Sequence, residues 1–102
     1  MGIDVLVETE SGEVQDEVLD EKNITEKLLP DREDASSPCL RFVDPDGDTV
    51  FNRLQVPSLV AELERRLRGI VKPETKAHGE AILRAVKATV GEERTYVRFS
   101  SE

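Results

Sequence analysis

FVDPDGDTVF, residues Phe42 to Phe51, sets three aspartates at alternate positions around a single glycine. A metal loop here would need curved backbone, whereas a turn would close the flanking segments into a hairpin. An EF-hand calcium loop requires carboxylates at its first, third and fifth positions, glycine at the sixth and a bidentate glutamate at the twelfth. Counted from Asp44, the carboxylates of Asp44, Asp46 and Asp48 are in place, but Gly47 comes fourth and Gln55 twelfth. The turn accounts for every residue. Asp44 first, Pro45 second and Gly47 fourth are favoured occupants of a type I turn, and a left-handed glycine would complete a bulged hairpin. Asp44, Pro45, Asp46 and Gly47 are therefore read as a structural turn.

On either side, Cys39–Val43 and Thr49–Leu54 have the aromatic and β-branched content of strands. Towards the N-terminus, Ile3, Val5 and Val7 alternate with Asp4 and Glu8, the period of a half-buried strand. Glu10-Ser11-Gly12 then turns the chain, and Val14 and Val18 fall on one face of a returning strand. Asn23 and Glu26 have capping-box spacing for a short helix that Pro30 ends. Residues 31–38, DREDASSP, form a polar loop expected to be mobile.

Towards the C-terminus, Pro57 opens a helix running to about Gly69, with Leu59, Val60, Leu63, Leu67 and Ile70 on one stripe. Glu62–Arg66 and Glu64–Arg68 are spaced as i,i+4 pairs on its wet side. A second helix begins at Pro73, with Ala77, Ala81, Ile82, Ala85, Val86 and Val90 inward, small alanines permitting close packing, and Gly91 as C-cap. Thr95–Ser100 closes the chain as a strand with Val97 and Phe99 on one face. The order β–β–α–β–β–α–α–β implies one α+β domain over residues 1–102. It should hold a mostly antiparallel sheet of about five strands, two hairpins plus a C-terminal strand, with two main helices on one face and a short third helix.

Charge adds a second pattern. The 102 residues carry a formal net charge of −8, and 35% are charged, against about 25% in average domains. Residues 1–34 hold 12 Asp/Glu against three Lys/Arg, so the acidic excess lies wholly in the first third. That distribution disfavours nucleic acid and anionic membranes and favours a basic protein partner. No segment has the pattern of a signal peptide or a membrane span, and the single cysteine forms no disulfide framework. A soluble, reduced, cytoplasmic protein is the expectation.

Catalytic parts are sparse. His78, the one histidine, has no nucleophile or carboxylate at local spacing and reads as a surface residue of the second helix. Cys39, with only Arg41 nearby to lower its pKa, reads as core. Phosphate-loop, dinucleotide, zinc-protease and nucleophile-elbow motifs are absent. Arg65, Arg68 and Lys72 form a basic stripe on the first helix, read as a solvated face. The expectation is a non-enzyme without cofactor or metal.

Residues Cys39-Leu-Arg-Phe-Val-Asp-Pro-Asp-Gly-Asp-Thr-Val-Phe-Asn52, with Tyr96-Val-Arg-Phe99, resemble an uncharacterised group of small bacterial proteins. In size and acidity the chain is also similar in type to immunity proteins and antitoxins, which implies inhibition of a basic toxin. Residue chemistry points the same way, to an acidic protein-binding module. Glu13, Asp16, Glu17, Asp20 and Glu21 would steer the partner, and Val14, Val18 and Leu19 would anchor it. The alternative is a small homo-oligomeric structural or assembly protein, its acidic third serving solubility.

Overall fold

The computed structural model describes residues 2–101. The apolar alternation near the N-terminus becomes β1, Ile3–Thr9, whose Ile3, Val5 and Val7 are buried. The last segment becomes β4, Thr95–Ser101, with Thr95, Val97 and Phe99 buried. These two pair antiparallel in full register, Val5 opposite Phe99 and Val7 opposite Val97, so the ends of the chain form the centre of the sheet. β2, Val14–Val18, and β3, Asp48–Phe51, add the edges to give one open antiparallel sheet in the order β2-β1-β4-β3.

The first hairpin forms where expected. Gly12 takes a φ of +87°, open to glycine at no steric cost, and Thr9 exchanges backbone bonds with Gly12 and Glu13. A bulge then separates two residues expected to share a face. Val7 is opposite Asp16 but Glu8 is opposite Val14, which leaves Gln15 as an extra residue. Val18 therefore faces the core side beside Val5, and Val14 the other side beside Glu8.

The second hairpin does not form, and the sheet has four strands, not five. Cys39–Val43 is no strand. Its centre, Leu40–Phe42, is a 3-10 turn that buries Leu40 and Val43, three residues apart, and leaves Phe42 63% exposed. The turn at Asp44–Gly47 exists, closed by Gly47 N–H to Asp44 O at 3.4 Å and by Asp46 N–H to Asp44 Oδ1 at 2.9 Å. It joins a 3-10 turn to β3, however, and Gly47 is not left-handed. Asp48 turns towards Arg98 and Ser100. Among the described residues no three His, Cys, Asp or Glu side chains converge as a metal site.

The expected third helix is likewise a single 3-10 turn, Thr25–Leu28. Asn23 does not cap it: this residue sits at φ +59°, and Asp20 supplies the acceptor instead. Residues 31–38 are a succession of turns, in which Asp34 accepts bonds from Ser36 and Ser37 and Arg65 bonds to Ser36 O.

Two helices cover one face of the sheet. α1, Val56–Arg68, is opened by Asn52, whose Oδ1 accepts from Leu54 and Gln55 N–H, with Pro57 in its first turn. Val56, Leu59, Val60, Leu63 and Leu67 meet the buried strand residues, and Phe51 and Phe99 stack edge to face at 5.8 Å. Burying each such side chain contributes about 1.5–3 kcal/mol.

α2, Pro73–Lys87, ends before Gly91, and its inward face differs from the alanine stripe expected. Thr75, Gly79, Ile82, Ala85 and Val86 are buried, whereas Ala77 and Val90 are exposed. Gly79 permits the close approach: a Cβ there would lie 2.4 Å from Leu67 Cδ2.

Among the described residues no helix packs on the other face of the sheet. There Arg98 of β4 bonds Glu8 of β1 at 2.7 Å and Asp48 of β3 at 3.0 Å, tying three strands together. No helix among the described residues is long and apolar enough to cross a membrane.

Candidate functional site

β2 pairs with β1 on one side only; its other side is a free edge. Glu13, Asp16, Glu17 and Glu21 are exposed along it, with Val14 46% and Leu19 49% exposed among them. The edge is guarded against adding another strand. Asp16 Oδ1 accepts the N–H of Glu17 at 2.8 Å, and the bulge at Gln15 breaks the regular ladder. Contact with a partner would run through side chains.

One expected anchor and one expected steering acid are placed differently. Val18 is half-buried against the core. Asp20 is 5% exposed and offers a partner no free carboxylate. In exchange, the fold adds acids from the far end of the chain. Glu92 and Glu93, in the α2–β4 connection, line hollows shared with Glu10, Gln15 and Asp16. Bends at Gly91, φ +86°, and Arg94, φ +62°, carry this connection past the hairpin. Linear spacing contains no signal for that juxtaposition.

Asp20 heads a buried polar cluster. Its Oδ2 accepts Ile3 N–H at 2.9 Å and Thr25 N–H at 3.0 Å, and its Oδ1 accepts Ile24 N–H at 2.6 Å. Burial works against the charge, but the backbone donors outweigh it and hold the carboxyl below its ordinary value. His78, expected on the surface, turns inward with 12% of its side chain exposed. Its Nε2 is 2.8 Å from Thr25 Oγ1 and 3.6 Å from Asp20 Oδ1.

Hydroxyl, imidazole and carboxylate thus meet, but not as a relay. A catalytic triad puts the acid on one ring nitrogen and the hydroxyl on the other. Here both approach Nε2, and Thr25 is 1% exposed. The cluster is built as a tie between β1, the first 3-10 turn and α2.

A second buried carboxylate was missed altogether. Glu62, assigned by spacing to the wet side of α1 with Arg66, is 2% exposed. Its Oε1 accepts Leu40 N–H at 2.8 Å and Cys39 N–H at 3.1 Å, and Ser58 Oγ donates to its Oε2 at 2.8 Å. Arg66 is turned instead to the carbonyls of Leu28, at 2.9 Å, and Leu29. Burial pushes the Cys39 thiol up, and the charge of Glu62 adds to the effect, the opposite of what a reactive thiolate needs.

Comparison with protein-family models, with curated proteins and with solved structures gave no match to this chain.

Proposed function

We propose that the chain is an acidic protein-binding module that engages a basic protein through the β2 edge, with immunity- or antitoxin-like inhibition as the concrete form. One observation carries this reading: exposed Glu13, Asp16, Glu17 and Glu21 lie together with exposed Val14 and Leu19 on and beside a strand with a free edge. Carboxylates raise the rate and orientation of encounter, and the apolar pair supplies surface that can be desolvated for affinity. Glu92 and Glu93 extend the field. The likeness to small bacterial proteins is in keeping with a bacterial, cytoplasmic setting.

The test is capture from a lysate of the source organism at about 50 and about 300 mM salt, the higher shortening the screening length below 10 Å. Wild type is compared with a quadruple variant, Glu13→Lys, Asp16→Lys, Glu17→Lys and Glu21→Lys, which spares buried Asp20. A single basic protein held by wild type at both salts and released by the variant supports the reading. Equal retention by both sinks it. Recovery of further copies of the chain alone favours the homo-oligomer.

A further inference from the structure

On another part of the surface two arginines and one acid surround an apolar groove. The two 3-10 turns wall a groove of about 230 Å³ in which Leu29, Pro30 and Pro45 are half-buried above buried Leu40 and Val43, with exposed Glu26 also in its lining. Arg32 and Arg41 stand on its rim, and neither forms an ion pair with any described residue. Arg41 is also held in place, its guanidinium carbon 4.6 Å from the centre of the Phe42 ring. Its Nε–H is buried without an acceptor, so its terminal guanidinium nitrogens are the donors that can meet a ligand.

We propose that this groove docks a short peptide segment of a partner protein in which an aliphatic side chain adjoins a carboxylate. The volume lies below the ~300–1,000 Å³ of drug-sized sites, so it admits one aliphatic side chain and one acidic group. Leu29 and the two prolines offer apolar walls, and a proline has no N–H to hydrogen-bond a ligand. Two guanidiniums offer the planar fork that suits a carboxylate.

The walls are preformed, which lowers the ordering cost of binding. α1 holds both: Glu62 grips the amides of Cys39 and Leu40, and Arg66, one helical turn on, grips the carbonyls of Leu28 and Leu29. The site shares no residue with the acidic β2 edge, and its two arginines outnumber Glu26.

The experiment is a nuclear magnetic resonance titration of the full ¹⁵N-labelled chain with acetyl-Leu-Glu-amide, following backbone amides and the arginine Nε–H signals. Shifts that saturate at Leu29, Leu40, Arg41 and the Arg41 Nε–H are expected. Binding should weaken about tenfold for acetyl-Leu-Gln-amide or in Arg41→Gln, the scale of a charge-assisted hydrogen bond lost at a partly open site. Unchanged signals elsewhere in Arg41→Gln would show that the variant folds. Absence of saturable shifts, or equal affinity for the Gln peptide, overturns the proposal. So does an equal response to acetate, which would mean a general anion contact, or growth of oligomers on concentration with the same residues shifting, which would mean a second copy.

Discussion

Asp20 and Glu62 do the same work in two regions by different routes. Each is a buried carboxylate that satisfies amides at the start of a 3-10 turn. Asp20 acts on its own neighbourhood, Ile24 and Thr25, and on the start of β1 at Ile3, 17 residues earlier. Glu62 reaches from a helix to a segment 22 and 23 residues earlier in the chain. The first holds a turn that sequence could half foresee, the second a turn that sequence read as a strand. A carboxylate in an apolar stripe can fix a loop's conformation more firmly than the loop's own propensities.

Removal of each acid sharpens the comparison. Asp20→Ala strands three amides, and a buried unsatisfied donor costs about 1–3 kcal/mol, so a loss of about 3 kcal/mol or more is expected in urea unfolding. Glu62→Ala strands two amides, for about 2 kcal/mol. A larger loss at Glu62 would reverse the ranking and make the long-range tie the dominant one.

Acid tests the Asp20 tie by another measure. The folded carboxyl of Asp20 is held below the unfolded value of about 3.9, so its contribution is present above that pH and is lost as pH falls through the lowered value. Circular dichroism from about pH 5 to about pH 2 should show a shallower loss of stability in Asp20→Asn than in wild type. Parallel acid limbs would remove Asp20 as the linked group.

The smallest effect is steric. Gly79→Ala gains helix propensity but drives a Cβ onto Leu67 and Leu28, and a net loss of about 1 kcal/mol is expected. A gain would show that the leucine tips yield freely.

Legibility followed pattern strength. β1, β4 and the apolar stripe of α1 were readable because their periods of two and of three to four run uninterrupted. Val14 and Val18 were readable as strand but not as opposite faces, since one inserted residue, Gln15, inverts the alternation. Leu40 and Phe42 carried the alternation of a strand, yet a turn buries Leu40 with Val43 and displays Phe42. Part of the candidate edge, Glu13, Val14, Asp16, Glu17, Leu19 and Glu21, was visible in composition. Glu92 and Glu93 were not, because the fold brings them there from the opposite end of the chain.

By itself the sequence determined the α+β class, the acidic first third, the two helices and the turns at Gly12 and Asp44, all set by local period, charge and turn chemistry. Tertiary structure alone decided that Asp20, Glu62 and His78 turn inward, that Cys39–Val43 is no strand, and that two arginines flank an apolar groove. The physical reason is common to all three. A buried polar group is specified by the donors and acceptors that meet it, and those lie on other elements whose approach no local pattern records.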